Sequence, residues 1–445
     1  MELTQILLTD NNQGHTQQYK RSDIAALFPY DGKTIEQLCN ENASLLVWPL
    51  NKKDTDDDVE KEIIFDIVNT EKPDDVRLRT YNVMGFIGIN NLKIKIGSRF
   101  DNDNHDFFLH YMLQKVLSFN LFNLDYTNDD EAVFDLMMLM FPLYLKAALT
   151  QGLYREYQHR EYNNSKVKGT IDVGRHLRSN IPFKGNIAYS LREYTYDNDL
   201  TQLIRHTIEF IRTKPLGKHI LNKDKETLNN VRQIIENTTY YNKADKRRII
   251  QKNLRPNRHP YYTAYRPLQS LCIQILRNDE RKYGERNDEL RGILFDGAWL
   301  WEEYVYTIIK NKGFKHSQNK KGIGKICLFK DSSGVRYPDF YNDNIVLDAK
   351  YKRFENMEKV SKVNRDDIHQ LITYIVRLQC LHGGFVSPME NRQPSVPTSH
   401  LVGYDATLSI FSIEIPKADS FKEFCEKMKK SEDNFKQNLF SPQIH

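Results

Sequence analysis

The chain has 445 residues, 40% of them hydrophobic and 28% charged, and its formal net charge is only +5. This length predicts two or three domains with cores of their own, and the composition is that of an ordinary globular protein. A net charge this small excludes a global electrostatic argument for nucleic-acid binding. The five cysteines stand far apart without a CxxC pair. We therefore predict reduced thiols in a cytoplasmic protein, with no zinc site and no disulfide framework.

The first region, residues 1–105, is predicted to be β-rich in its second half. Up to about residue 70 the sequence is polar and irregular. The segment Leu92–Ile96 then alternates apolar residues with Lys93 and Lys95, which indicates a half-buried strand with a basic outer face. That face either contacts phosphate or is simply solvated, and the pattern leaves both possibilities open.

The second region, residues 106–290, is predicted to be mainly helical. Apolar positions suit helices in four segments, at 106–122, 129–153, 200–211 and 223–236. The most apolar stretch, Ala132–Leu149, is interrupted by Asp135, Pro142 and Lys146. We therefore predict a buried helix there and no membrane span.

Two basic segments of this second region are candidate binding surfaces. Arg175 and Arg178 follow a short strand-like stretch, and they contact phosphate, a partner chain or only solvent. Farther on, residues 243–258 carry seven basic residues and a single acid, Asp245. Such a run is either a solvated helix face or a surface that follows DNA, because phosphate contacts provide much of non-specific affinity. The candidate DNA-contacting residues are Arg247, Arg248, Lys252 and Arg255.

The third region, residues 291–445, mixes helices and strands around a short acidic motif. The segments YPDF, ending at Phe340, and VLDAK, ending at Lys350, are typical of two strands joined by a polar turn. Side chains two residues apart in a strand share a face, so Asp348 and Lys350 are predicted to point the same way. The fold-back is predicted to bring Asp339 close to Asp348.

Two carboxylates and an ammonium at one end of a sheet form an arrangement that holds Mg²⁺ and activates water. Phosphodiester hydrolysis needs a divalent metal to polarise the scissile phosphate and to lower the pKa of the attacking water. Mg²⁺ prefers oxygen ligands, and Mn²⁺ is expected to substitute for it. The candidate ligands are Asp339, Asp348, the carbonyl of Ala349, and Glu302 on the preceding helix. Lys350 is predicted to orient or deprotonate the water and to offset charge on the phosphorus.

This motif matches the PD-(D/E)XK nuclease pattern. The pattern alone arises often by chance, and the competing interpretation is an exposed strand pair without chemistry. The turn between the strands and the helices on either side favour the nuclease. A helix is predicted after the motif, through the segment DDIHQLITYIVRLQCLHGG, with Gly383-Gly384 as its C-terminal stop. On this helix, Gln370 fits the supporting role that such nucleases often give to this position. His369 and Tyr374 are the alternatives, and a purely structural role for Gln370 stays open.

Several further segments follow one another along the chain. They are GFIGINNLKIKIGSRF near the front, a long helix ending in GLYREY, KGTIDVGRHLRSN, LREYTYDNDLTQLIRHTI, and WLWEEYVY before the acidic motif. In order and spacing, over about residues 80 to 415, the chain resembles the McrC family. This family is the nuclease subunit of modification-dependent McrBC restriction systems, including relatives of the LlaJI type.

The resemblance implies an α/β chain of the α+β multi-domain kind. N-terminal β-rich and helical regions precede a C-terminal restriction-endonuclease-like domain, and residues 1–105 bind a partner. The implied partner is a McrB-like AAA+ GTPase hexamer that reads modified double-stranded DNA and is stimulated by this subunit.

The resemblance also carries catalytic roles to Asp339, Asp348 and Lys350. Glu302 is implied as the helix carboxylate, with Glu303 as the alternative. One departure is that the family's strand usually ends in a proline–lysine pair, where this chain has Gly97-Ser98-Arg99.

No G-x-x-x-x-G-K-[ST] segment occurs in the sequence, so a nucleotide-driven motor must come from another chain. The leading prediction is a Mg²⁺-dependent DNA endonuclease subunit of an anti-phage restriction system, activated by a GTPase partner. Two alternatives stay open. One is a non-catalytic adaptor that activates the motor and positions DNA, and the other is a stand-alone nuclease acting on branched or damaged DNA.

Overall fold

The fold is that of a computed structural model, which describes residues 4–12, 17–42, 45–48, 62–90, 92–101, 107–117, 129–215, 217–281, 290–317, 324–354, 359–390 and 395–440. The chain divides into two compact units. The first unit joins Met1–Thr127 to Arg286–His445, and the second is Asn128–Glu285. Several separate sheets and many helices make this a mixed α/β protein, as the α+β prediction expects. The division into three regions stays a prediction about functional segments.

One five-stranded sheet explains why the two ends of the chain belong to the same unit. Strands are numbered in chain order, and across this sheet they follow one another as β1 (Thr4–Thr9), β7 (Leu92–Gly97), β6 (Val83–Ile89), β11 (Arg291–Asp296) and β3 (Leu45–Trp48). The late strand β11 pairs antiparallel with β6 and parallel with β3. Gly85 and Gly292, both at positive φ, allow this close approach, since a Cβ on Gly85 would lie 2.1 Å from the carbonyl oxygen of Ile293.

The early part of the first unit is more regular than its polar sequence predicts. A three-stranded sheet in the order β2–β5–β4 is formed by β2 (Gln18–Lys20), β4 (Phe65–Asn69) and β5 (Asp75–Thr80), beside α1 (Ile35–Glu41). The expectation of irregular structure up to about residue 70 is therefore wrong. The predicted alternation in β7 is confirmed, since its three apolar side chains are buried and Lys93 and Lys95 are half-buried.

The late part of the first unit contains a mixed six-stranded sheet. In sheet order its strands are β12 (Lys315–His316), β15 (Phe340–Tyr341), β16 (Ile345–Ala349), β17 (His382–Met389), β19 (Thr407–Glu414) and β18 (Thr398–His400). A separate two-stranded ladder joins β13 (Ile326–Cys327) to β14 (Val335–Arg336). The associated helices are α2 (Phe107–Leu117), α10 (Gly297–Ile309), α11 (Arg365–Leu378) and α12 (Phe421–Leu439).

A glycine pair after α11 was expected to end that helix, and this expectation is wrong. The helix ends instead at Gln379, which adopts the left-handed conformation with φ +57°. Gly383 and Gly384 lie in β17, in the middle of the sheet. There the absence of a side chain allows close packing, because a Cβ on Gly383 would lie 2.5 Å from Cδ1 of Ile375.

The second unit packs helices beside a small sheet. The helices are α3 (Asp129–Leu149), α4 (Val173–Ser179), α5 (Asp199–Arg212), α6 (Gly217–Leu221), α7 (Lys225–Asn237), α8 (Lys246–Lys252) and α9 (Tyr265–Arg281). The sheet has the order β8–β10–β9, from β8 (Glu156–Asn164), β9 (Thr170–Ile171) and β10 (Ile187–Thr195). In the part of the chain that the structure describes, no helix is long and apolar enough to cross a membrane.

The predicted helices of the middle region are present. The two at 200–211 and 223–236 correspond to α5 and α7, and the apolar segment forms α3. The helix predicted over 106–122 is confirmed as α2, and its remainder lies outside the described residues. All five cysteines are free thiols, as their spacing predicts.

Candidate active site

The acidic motif folds back as a hairpin made of β15 and β16. The side chain of Asn342 closes the turn, because its Oδ1 accepts hydrogen bonds of 3.0 Å from the backbone N–H groups of Asn344 and Ile345. The register pairs Phe340 with Leu347. The next pair in this antiparallel register is Asp339 with Asp348, so the turn sets the two carboxylates side by side.

The two carboxylates are held where water reaches them poorly. Asp339 Oδ2 accepts a hydrogen bond of 2.6 Å from the backbone N–H of Ala349, and Asp348 is only 3% exposed. Burial, and then the neighbouring charge of Asp348, raise the pKa of Asp339 to about 7. Burial also raises the pKa of Asp348, although Lys350 opposes this rise. The pair therefore has a local excess of negative charge that a cation would offset.

Lys350 is the positive charge nearest to this pair. Its Nζ lies 2.9 Å from Oδ2 of Asp348 and 3.2 Å from Oδ1 of Asp367. It also donates a hydrogen bond of 3.3 Å to Oε1 of Gln370. Burial lowers the pKa of Lys350, but the carboxylates around it, Asp348 first, outweigh burial and raise the pKa. In this arrangement Lys350 is a fully charged ammonium aimed at the carboxylate pair.

Helix α11 supports Lys350 through a direct side-chain contact. Gln370 reaches the lysine directly and donates a hydrogen bond of 3.1 Å to the hydroxyl of Tyr374 behind it. His369 is exposed. Of the three candidate positions on this helix, Gln370 is therefore the one whose side chain contacts Lys350.

Asp367 is a site residue that the sequence did not single out. It pairs with Lys350 and, through Oδ2 at 3.0 Å, with Lys352. These two lysines outweigh the effect of burial and lower the pKa of Asp367. Its position three residues before Gln370 places both on one helix face, and this spacing was the available signal.

Helix α10 brings a second pair of carboxylates to His316, on the strand that pairs with β15. Oε1 of Glu302 lies 3.7 Å from Nδ1 of His316, and Oε1 of Glu303 lies 3.4 Å from Nε2 of the same ring. Nδ1 of His316 also lies 3.1 Å from the backbone oxygen of Asp339. His316 was missed from the sequence, because a single histidine after a helix carries no motif.

The structure does not group Glu302 with the carboxylate pair. Within the described ranges, no three His, Cys, Asp or Glu side chains come close enough together to hold a metal ion. Glu302 contacts His316 instead, so its role as a metal ligand stays a prediction. The residues brought together are Asp339, Asp348, Ala349, Lys350 and Gln370.

The basic run lies in the second unit, around α8. Arg248 is paired with Asp245 at 3.0 Å, and Lys252 with Asp199 at 3.0 Å. Arg247 and Arg255 are exposed. Two of the four candidate DNA contacts therefore have their charge partly offset within the chain.

The two candidate arginines of α4 also differ in how far their charges are engaged by groups within the chain. Arg175 donates a hydrogen bond of 2.7 Å to the carbonyl oxygen of Tyr189 and pairs with Asp172 at 3.3 Å, which ties α4 to β10. Arg178 is exposed and donates only to the carbonyl of Gly174 among its described contacts, at 3.1 Å. Arg178 is thus the more available of the two for a partner.

Comparison with known proteins identifies the family to which this chain belongs. The model of the McrBC 5-methylcytosine restriction system component family matches residues 78–388. Because this match covers well over half of the sequence, the chain belongs to that family. The resemblance noted in the sequence is thereby confirmed. No curated protein matches the sequence.

Two solved structures from Thermococcus gammatolerans are similar to the chain. One is a refined half-complex from a tetradecameric assembly of McrB AAA+ hexamers with bound McrC. It is 13% identical, with a TM-score of 0.46, over 98% of this chain and 99% of that one. The other is a cryo-EM structure of the McrBC complex, 14% identical with a TM-score of 0.28, over 69% of this chain and 87% of that one.

Proposed function

We propose that the chain is the Mg²⁺-dependent DNA endonuclease subunit of a McrBC-type restriction system in the cytoplasm. Its C-terminal region, residues 291–445, is the proposed PD-(D/E)XK nuclease domain. The observation that carries this proposal is the hairpin that sets Asp339 beside Asp348 with Lys350 2.9 Å from Asp348. A buried carboxylate and a half-buried one beside one ammonium are a costly arrangement, and catalysis is a physical reason for keeping it.

The oxygen atoms at this place suit Mg²⁺. Proteins usually bind this ion through one or two carboxylates together with substrate phosphate oxygens. Asp339 and Asp348 would hold it, and the carbonyl of Ala349 and the carboxylate of Glu302 are the further proposed ligands. When bound, Mg²⁺ would polarise the scissile phosphate and lower the pKa of the attacking water.

The other side chains of the site orient its groups and offset negative charge. Lys350 offsets negative charge that develops on the phosphate as the P–O bond breaks. Gln370 and Asp367 hold the Lys350 ammonium, and these contacts restrict the conformations of its four-carbon side chain. His316 links the α10 carboxylates to the backbone of Asp339 and so keeps the helix in register with the hairpin.

The proposed partner is an AAA+ GTPase that reads modified double-stranded DNA and whose GTP hydrolysis this chain stimulates. The solved complexes pair McrC with McrB AAA+ hexamers, and the absence of a P-loop from this sequence agrees with that division of work. Residues 1–105 are the proposed partner-binding region. Arg178 and, less directly, Arg175 are proposed further contacts.

The metal requirement tests this function. The chain with its AAA+ partner and GTP is expected to cut methylated plasmid DNA in Mg²⁺ or Mn²⁺ and to stop when EDTA is added. Isothermal titration is expected to detect Mg²⁺ binding to the chain and its loss in Asp339→Asn. Cleavage that persists in EDTA would refute the metal mechanism. Cleavage without the partner would instead favour the stand-alone nuclease. Absence of any cleavage would favour the non-catalytic adaptor.

The basic run makes a separate prediction about DNA affinity. Each phosphate contact contributes a slope of about −0.9 to the plot of log affinity against log salt concentration. Replacing Arg247 and Arg255 with Gln is expected to weaken binding and to reduce that slope by about 2. Replacing Arg248 and Lys252 with Gln should have a smaller effect, since Asp245 and Asp199 already offset those charges.

Fluorescence anisotropy with a duplex at several salt concentrations measures both pairs of substitutions side by side. The paired positions are the matched control, because they remove the same amount of charge from the same segment. If the salt dependence of DNA affinity keeps its slope in both double variants, the basic run is a solvated face that does not contact DNA.

A further inference from the structure

The residue that follows Lys350 is anchored outside the active site. Lys350 itself is fixed to β17, since its backbone N–H donates a hydrogen bond of 2.8 Å to the carbonyl oxygen of Val386. The next side chain, Tyr351, is only 5% exposed. Its hydroxyl forms a hydrogen bond of 2.7 Å with Oγ of Ser98, just after the end of β7. The segment that follows β16 and carries Lys350 is therefore fastened to the end of β7, in the five-stranded sheet, one residue later.

The ring of Tyr351 is also enclosed by neighbouring side chains. The guanidinium of Arg99 lies 4.8 Å from the ring centroid, and the ring of Phe100 meets it edge-on at 5.1 Å. On another side the ring contacts the start of α10, where a Cβ on Gly297 would lie 3.0 Å from Cε1 of Tyr351. One side chain thus contacts both the end of β7 and the helix that carries Glu302.

The segment that receives Tyr351 is itself held firmly. Asp10, which is fully buried, accepts hydrogen bonds from the backbone N–H of Arg99 at 2.5 Å and from its Nε at 2.9 Å. Arg353, two residues beyond Tyr351, donates to the carbonyl oxygen of Arg99. Arg353 also pairs with Glu390 at 2.6 Å, so this one side chain joins the residues that follow β7 and β17.

We propose that Tyr351 is a positioning residue for Lys350, and that Ser98 and Arg99 form the seat that holds it. This inference rests on the proposed nuclease function. Lys350 and Tyr351 are consecutive residues directly after β16, so a shift of Tyr351 on its seat moves the backbone that carries Lys350. Displacements of about 1 Å at a reacting group can cost roughly 100-fold in rate. The seat occupies the place where the family's strand usually ends in a proline–lysine pair.

A purely structural role for Tyr351 is the competing explanation, and a second buried tyrosine in the same unit separates the two. The hydroxyl of Tyr111, on α2, donates a hydrogen bond of 2.7 Å to Oε1 of Glu432. Tyr111 is 2% exposed, so Tyr111→Phe removes an equally short, equally buried hydrogen bond from a place distant in sequence from the motif. Both variants keep the aromatic ring, and both are therefore expected to fold.

The experiment compares Tyr351→Phe, Ser98→Ala, their double variant, Tyr111→Phe and Lys350→Ala, each with the AAA+ partner and GTP. Thermal unfolding, kcat and KM for DNA are measured for each. Tyr351→Phe and Ser98→Ala are each expected to lower kcat about tenfold with KM unchanged. The double variant should lose less than the sum of the two single variants, because both remove the hydrogen bond between Tyr351 and Ser98. Each single variant also removes a bond of its own, from the Tyr351 hydroxyl to Sδ of Met84 at 3.4 Å or from the N–H of Phe100 to Oγ of Ser98 at 3.1 Å. Tyr111→Phe should lower the unfolding temperature to a similar extent and leave kcat as in the wild type.

Full kcat in Tyr351→Phe, a change confined to KM, or equal loss in Tyr111→Phe and Tyr351→Phe would overturn the positioning role. So would additive losses in the double variant, since they would mean that Ser98 and Tyr351 act separately. Failure of the nuclease proposal looks different. Lys350→Ala would then cut as well as the wild type, whatever the result at Tyr351.

Discussion

Asp348→Asn is expected to abolish DNA cleavage by the chain and its AAA+ partner while leaving folding and partner binding intact. The substitution keeps the shape of the side chain and removes one of the two negative charges at the hairpin. Without that charge the site binds a cation poorly and Lys350 loses its nearest carboxylate, at 2.9 Å. Loss of a positioned metal or proton-transfer group costs roughly 100- to 10,000-fold in rate. The rate at which methylated plasmid is cleaved, followed on gels over time, measures this loss of activity.

Folding should survive this change, because Asp348 is buried at an energetic cost. Burial raises the pKa of Asp348, so the folded state tolerates a neutral side chain here better than a charged one. Lys350 still has Asp367, at 3.2 Å, as a partner. The unfolding temperature is therefore expected to stay the same or to rise, as often happens when a costly active-site charge is removed.

Asp343→Asn is the matched control for this experiment. Asp343 lies in the turn of the same hairpin, and its side chain is exposed. Its loss of charge should leave cleavage at the wild-type rate. Cleavage by Asp348→Asn at the wild-type rate would refute the catalytic role of Asp348. Loss of cutting together with retained stimulation of the partner's GTP hydrolysis would separate the nuclease from the adaptor alternative.

The hairpin could be predicted from the sequence because every step of that inference is local. Alternation in YPDF and VLDAK, and an asparagine in the turn, determine which side chains face each other within a dozen residues. Gln370 could be anticipated only from the nuclease pattern. Asp367 had only its spacing from Gln370 as a signal. His316 had none, because its contacts with α10 and with the backbone of Asp339 join separate elements.

The joining of the two ends of the chain was also beyond the sequence. Residues 1–105 and 291–445 have separate local patterns, and nothing local shows that β11 pairs between β6 and β3. The same reason explains the error at Gly383 and Gly384. Two glycines after a helix usually mark its end, but here Gly383 leaves room for Ile375 of α11 and Gly384 for Phe411 of β19.

Glu432→Ala is expected to destabilise the first unit by about 3 kcal/mol. Glu432 is 4% exposed and accepts hydrogen bonds from the hydroxyls of Tyr111 and Tyr304, at 2.7 and 3.0 Å. Its other oxygen lies 2.9 Å from Nζ of Lys115. One carboxylate on α12 therefore joins α2 and α10, and its removal leaves two buried hydroxyls without their acceptor. Asp433→Ala is the matched control, because that neighbouring side chain is 69% exposed and pairs only with Lys436 among its described contacts.

Urea unfolding followed by tryptophan fluorescence measures this effect in the first unit alone, because all three tryptophans, Trp48, Trp299 and Trp301, belong to it. Glu432→Gln separates the two kinds of interaction. The amide oxygen still accepts from a tyrosine hydroxyl, but the neutral side chain cannot pair with Lys115. If the hydrogen bonds dominate, Glu432→Gln should unfold close to the wild type and Glu432→Ala far below it. If the ion pair dominates, both should lose similar stability. A wild-type unfolding midpoint for Glu432→Ala would mean that α12 is not held to α2 and α10 by this carboxylate, and that apolar packing suffices.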